Sequence, residues 1–169
     1  MKKYLVVVDM QNDFVTGCLG SKEAQAIVPD MVDYVKNFDG TVVFTQDTHS
    51  EDYMNTQEGA KLPVPHCIKG TEGWEIIPEL KEMAEKCKVF EKPTFGSKAL
   101  ANFLTEENPD EVEFIGVCTG ICVLSNATLL KAFAPEIPIK VNAKYCACVT
   151  PATHETALAA MQTCQIEII

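Results

Sequence analysis

The chain has no apolar run near the roughly 18 residues that a membrane-spanning helix needs. Its start, Met1-Lys2-Lys3, leads into only five apolar residues, Tyr4 to Val8, before Asp9, too few for the hydrophobic segment of a signal peptide. The expected location is the cytoplasm, with no membrane partner. Positive charge is also scarce: 14 Lys and Arg stand against 24 Asp and Glu, a formal net charge of -10, with no basic stripe. A phosphate backbone would be repelled, so no nucleic-acid partner is expected. Gly- or Pro-rich linkers, repeats and low-complexity stretches are missing, and 169 residues at 47% apolar content suit one domain over residues 1–169. Cysteine is plentiful, at eight, but no pair has the two-residue separation of a zinc knuckle. The close pairs are Cys118 with Cys122 and Cys146 with Cys148, and reduced thiols, mostly small core residues, are expected.

Short Val/Ile-rich runs alternate with amphipathic stretches. Strands are expected at Tyr4 to Val8, Thr41 to Thr45, Lys88 to Glu91, Val112 to Val117, Ile137 to Val141 and Gln165 to Ile169, each continuous enough to be buried on both faces. Helices are expected at Pro29 to Asn37, Ile77 to Lys86, Ser97 to Leu104, Thr119 to Phe133 and Pro151 to Thr163. This alternation predicts an α/β fold with a parallel sheet and helices on both faces. Two long irregular segments, Gln11 to Val28 and Asp47 to Trp74, leave carboxyl ends of strands, where ligands bind in open α/β sheets.

Chemistry is expected at those ends. Cys122, in Gly116-Val-Cys118-Thr-Gly-Ile-Cys122-Val123, follows a strand and opens a helix, where unpaired N–H groups and the helix dipole favour a thiolate and an oxyanion. Asp9 ends the first strand and is a candidate general base; as an isolated Asp it could equally bond its own loop backbone. Lys92 ends the third, before Pro93, and its ammonium would lower the thiol's pKa and stabilise developing negative charge. Three neighbouring strand tips would then supply nucleophile, proton acceptor and cation, enough for acyl transfer through a thioester. A second set, Asp47-Thr-His49 with His66 returning from the loop, could grip zinc, iron or manganese, although loop carboxylates and hydrogen-bonding histidines account for the spacing as well.

The motifs Asp9-Met-Gln11-Asn12-Asp13-Phe14, Asp47-Thr-His49, Pro65-His66-Cys67-Ile-Lys-Gly-Thr71, Lys92-Pro-Thr-Phe95 and Gly116 to Val123 occur in this order over nearly the whole chain. In this the sequence resembles the isochorismatase-like cysteine hydrolases, and among them the nicotinamidases. The resemblance implies a six-stranded parallel sheet, a triad of Asp9, Lys92 and Cys122, a cis peptide between Val117 and Cys118, and an oxyanion hole formed by the N–H groups of Cys118 and Cys122. It also implies a divalent metal, zinc first, on Asp47, His49 and His66 beside the triad, where it binds the substrate's pyridine nitrogen. The fourth ligand varies among relatives; Glu58 is expected here, with Glu51 as the alternative.

The chain departs from that pattern in two places. Gly120 stands where many relatives have Asp, and Leu62-Pro-Val-Pro-His66 lacks the aromatic that nicotinamidases usually carry before this segment. Phe14 is expected to form one pocket wall, with Tyr53, Trp74 or Phe95 as candidates for another. The expected substrate is nicotinamide or a similar small carboxamide. The alternatives are an N-carbamoyl or ureido compound, whose carboxylate would need Lys69 or Lys98, and a non-catalytic metal or redox module. A homo-oligomer is expected of such a small α/β enzyme, without a feature that fixes its stoichiometry.

Overall fold

The computed structural model describes residues 1–169. Six parallel strands, β1 (Lys3–Val8), β2 (Thr41–Asp47), β3 (Lys88–Lys92), β4 (Glu111–Val117), β5 (Ile139–Ala147) and β6 (Glu167–Ile168), form one sheet in the order β3-β2-β1-β4-β5-β6. The helices are α1 (Asn12–Val15), α2 (Lys22–Lys36), α3 (Gln57–Lys61), α4 (Pro78–Ala84), α5 (Lys98–Glu107), α6 (Leu124–Phe133) and α7 (Pro151–Thr163). No helix is long and apolar enough to cross a membrane.

Strand periodicity divides β1 between two cores. Tyr4, Val6 and Val8 pack with Leu100, Leu104, Ala127, Leu130, Leu158 and Met161 of α5, α6 and α7. Leu5 and Val7 face the other way, onto Met31, Val32 and Val35 of α2 and Leu80 and Ala84 of α4. Burying both faces explains why the strands read as unbroken apolar runs rather than alternating ones. The chain reverses its direction of growth across the sheet between β1 and β4, and their carboxyl ends open there into a crevice. At this seam Gly116 adopts φ +117°, and a Cβ would collide with the Val8 carbonyl oxygen, so only glycine lets the two strands approach.

The structure corrects several expectations. The helix predicted from Pro29 begins at Lys22: the Ser21 hydroxyl accepts a hydrogen bond from the Ala24 N–H, and Pro29 lies inside the helix rather than at its first position. The segment from Gln11 to Val28 therefore contains α1 and the first half of α2. The segment after β2 likewise holds α3 and short 3-10 turns at Tyr53–Asn55 and Glu72–Trp74. The helix expected from Thr119 opens as a π-type turn, Thr119–Val123, before continuing as α6.

Candidate active site

Asp9 follows β1 with φ +49°, a left-handed conformation that a non-glycine residue holds only when its surroundings enforce it. Here the Asp9 N–H lies 3.2 Å from the Thr45 hydroxyl, which in turn donates to Asp9 Oδ1 at 2.6 Å. Lys92 Nζ sits 2.6 Å from Asp9 Oδ2, 3.3 Å from Asp47 Oδ1 and 3.6 Å from Cys122 Sγ, and donates to the Thr94 carbonyl at 3.1 Å. Asp9, Lys92 and Cys122 are 0%, 1% and 5% exposed, so their charges interact through protein rather than water. The three strand tips are not all neighbours: β2 lies between β1 and β3, and Lys92 is in register with Asp47. The lysine's long side chain bridges that gap, passing Asp47 on the way to Asp9.

Burial raises the Asp9 carboxyl's proton affinity, while Lys92 opposes that rise. Burial would lower the Lys92 ammonium, but the surrounding Asp9, Cys122 and Asp47 hold it firmly protonated. The Cys122 thiol is pushed well up by burial and by Asp9, with Lys92 only partly offsetting them. Lys92 thus lowers the thiol's proton affinity as expected, but burial and Asp9 outweigh it.

The nucleophile's turn is anchored at both ends. The Val117–Cys118 peptide is cis, and the Cys118 carbonyl accepts from Ile121 N at 3.0 Å and Val123 N at 3.2 Å. The Cys118 N–H finds no backbone acceptor. The Asn126 side chain donates to the Cys122 carbonyl at 2.8 Å.

Beside this cluster, one ligand atom from each of Asp47, His49, Glu58 and His66 lies within 4.8 Å of the other three. His66 Nδ1 bonds the Val64 carbonyl at 2.8 Å, which leaves Nε2 facing Asp47 Oδ2 at 3.5 Å and Glu58 Oε1 at 3.7 Å. His49 Nε2 faces the same two carboxylates, at 2.9 Å and 3.8 Å. Burial opposes ionisation of Asp47, but His49, His66 and Lys92 together hold its carboxyl far below the usual range. Asp9 and Asp47 share the single ammonium of Lys92, and Glu58 adds a third carboxylate against the two histidines, an excess that one divalent cation would offset. The donor set of two imidazoles and two carboxylates fits such an ion. Glu51 is exposed and outside the cluster, so of the two acidic candidates Glu58 is the one in reach.

Both clusters border a cavity of about 470 Å³ lined by Phe14, Leu19, Leu62, His66, Phe95, Cys118, Ile121, Cys122 and Val149 among others. Phe14 packs against the His66 ring at 5.5 Å. Of the three candidates for a second aromatic wall only Phe95 reaches the cavity. Tyr53 is buried behind the histidines, with ring distances of 4.9 Å to His49 and 5.0 Å to His66, and Trp74 donates to the Thr48 hydroxyl at 2.8 Å. Lys69 pairs with Glu91 at 2.6 Å, and neither it nor Lys98 lines the cavity, so a substrate carboxylate would meet no cation from either.

Sequence reasoning missed the residues that hold these groups in place. Gln11 bonds the Asp47 carbonyl and N–H, each at 2.8 Å, and Asp13 Oδ2 accepts from the Cys67 N–H at 2.8 Å, fixing the residue after His66. Both sit in the quoted Asp9 to Phe14 motif, which was the available signal. Thr45 and Asn126 carried no such signal.

Comparison with known proteins agrees with this arrangement. The isochorismatase domain family matches residues 3–169, and the chain belongs to that family. The nicotinamidase/pyrazinamidase of Mycobacterium tuberculosis is 27% identical over 182 aligned positions, covering 98% of this chain and 97% of the relative. The crystal structure of a nicotinamidase/pyrazinamidase from Bacillus subtilis superposes with a TM-score of 0.85 at 30% identity, covering 99% of each chain. The pyrazinamidase of Pyrococcus horikoshii, solved in complex with zinc, gives 0.81 at 26% identity over 100% of this chain and 99% of that one.

Proposed function

We propose that the protein is an amidohydrolase that converts nicotinamide, or a closely similar uncharged carboxamide, to the acid and ammonia. The observation that carries this reading is the contact of Lys92 Nζ with Asp9 and with Cys122, a residue that lines an apolar cavity next to four metal-type ligands. Nicotinamidases and pyrazinamidases among the relatives support the same substrate class.

Asp9 takes the thiol proton as Cys122 Sγ attacks the amide carbon, and the Cys118 and Cys122 N–H groups receive the oxyanion. Lys92 keeps its charge throughout and balances the negative charge as it moves from carboxylate to sulfur to oxygen. Collapse of the tetrahedral adduct breaks the C–N bond, and Asp9 returns its proton to the departing ammonia. Asp9 then deprotonates a water that attacks the thioester, which releases the acid and restores the thiol.

Asp47, His49, Glu58 and His66 would hold a divalent ion, zinc in the first instance, supplying Lewis-acid recognition of a ring heteroatom. This set and the cavity's apolar walls give orientation, while the triad supplies the bond chemistry. The same reading takes residues 1–169 as one catalytic domain, cytoplasmic and self-associating, with a net charge of -10 that disfavours nucleic acid.

Ammonia release from nicotinamide by the full chain tests the proposal. Turnover that disappears in Cys122→Ala and falls on chelation is expected. Wild-type turnover in Cys122→Ala, or none on any small uncharged carboxamide, overturns it.

A further inference from the structure

Asn126 is the third residue of α6 and is 2% exposed. Its side chain uses its hydrogen-bonding capacity in two directions. Nδ2 donates to the Cys122 carbonyl at 2.8 Å, on the π-type turn that leads into α6, and to the Phe95 carbonyl at 3.1 Å. Oδ1 accepts from the Ser97 N–H at 2.9 Å. The segment it grips carries a cavity wall, Phe95, and its Thr94 carbonyl receives the Lys92 ammonium at 3.1 Å. Neither β-ladder nor helix bonds tie Phe95 to the nucleophile's turn, and the Ser97 hydroxyl is already engaged in capping α5 through the Leu100 N–H.

We infer that Asn126 is a positioning residue that couples the nucleophile's turn to the cavity wall, setting the pose of Cys122 through one bond and the place of Phe95 through two. The inference rests on the amidohydrolase reading for its kinetic consequences, but not for its effect on Cys122 itself. A buried amide making three bonds between two separate segments fixes their relative position, and misplacing a nucleophile by about 1 Å can cost roughly 100-fold in rate.

The two directions are separable. In Asn126→Thr the hydroxyl of a near-isosteric side chain can bond the carbonyl one turn earlier, which is that of Cys122, but it cannot also span Phe95 and Ser97. Asn126→Ala loses all three bonds. With nicotinamide as substrate, Asn126→Ala is expected to lower kcat by about tenfold or more and to raise KM. Asn126→Thr is expected to restore kcat to within about threefold while KM stays raised, because the wall remains loose.

Alkylation of Cys122 by iodoacetamide, read by peptide mass spectrometry on folded protein, gives a second measure that needs no substrate. It should slow in Asn126→Ala and recover in Asn126→Thr. If Asn126→Ala does not fold, raised KM at near wild-type kcat in Asn126→Thr is the supporting result. Wild-type KM in Asn126→Thr overturns the inference, as does a Cys122 alkylation rate the same in both variants. Absence of wild-type turnover on nicotinamide and on every other small uncharged carboxamide would overturn the function proposed above, while the alkylation rates still decide the role of Asn126.

Discussion

The two halves of the site are built differently. Asp9 and Lys92 stand at the ends of β1 and β3, and Cys122 on the turn that β4 feeds, so the sheet's own register places the three groups proposed to react. Of the four metal-type ligands only Asp47 ends a strand; His49, Glu58 and His66 come from the long connection between β2 and α4. Bond chemistry tolerates little positional error, whereas recognition of a substrate ring can be retuned by changing a loop, and the proposed division of labour would follow that difference. Asp47 joins the halves: Oδ1 faces Lys92 at 3.3 Å, and Oδ2 faces His49 at 2.9 Å and His66 at 3.5 Å.

The comparison is broken most severely on the strand side. Cys122→Ala should reduce ammonia release from nicotinamide by about 10⁴-fold or more, as loss of a covalent nucleophile does elsewhere, with the thermal midpoint little changed. A residual rate within tenfold of wild type would show that the reacting group lies elsewhere. Lys92→Met should be nearly as damaging to turnover and, unlike the cysteine change, should also destabilise the fold. It leaves buried Asp9 and Asp47 without their cation, a loss of about 3–5 kcal/mol by the measure of other broken buried pairs. Urea unfolding at constant m-value reads that loss directly.

How far the sequence disclosed this division depends on what kind of contact each residue makes. That Asp9, Lys92 and Cys122 come together was legible because each follows a strand candidate, and the grouping of Asp47, His49 and His66 because family motifs, more than spacing, mark them. The sheet was legible for a similar reason: strands buried on both faces leave continuous Val/Ile runs. Thr45 and Asn126 were not, since their partners lie 36 and 29 residues away and an isolated Thr in a strand or Asn in a helix has many ordinary explanations. The beginning of α2 was hidden by Pro29, which suits a first helical turn but here lies inside the helix begun by the Ser21 cap. The net direction of the Cys122 shift was not legible, because sequence suggests the neighbouring ammonium but not the burial that outweighs it.

On the loop side the expected effects are smaller and fall on a different parameter. His66→Ala removes one of four candidate ligands while leaving Asp9, Lys92 and Cys122 untouched. KM for nicotinamide should rise more than kcat falls, and chelation of the wild type should reproduce that pattern, with restoration on adding zinc. Equal losses in kcat and kcat/KM would instead assign these ligands to the transition state and erase the contrast between the halves.

The mildest change sharpens the comparison from within. Thr45→Val keeps the β2 side chain's shape but deprives Asp9 Oδ1 of its 2.6 Å hydrogen bond, at a cost of about 1–3 kcal/mol for a buried acceptor left unpaired. Burial already raises the Asp9 pKa and Lys92 opposes it; the Thr45 bond also favours the carboxylate, so removing it raises the pKa further. A base must be deprotonated to act, so the acidic limb of the kcat/KM profile should move to higher pH. Below the plateau the variant should lose activity, and on the plateau it should approach wild type. A limb that stays in place would mean that Asp9 is not the group titrating in turnover, and the strand-borne half of the site would then need a different proton acceptor.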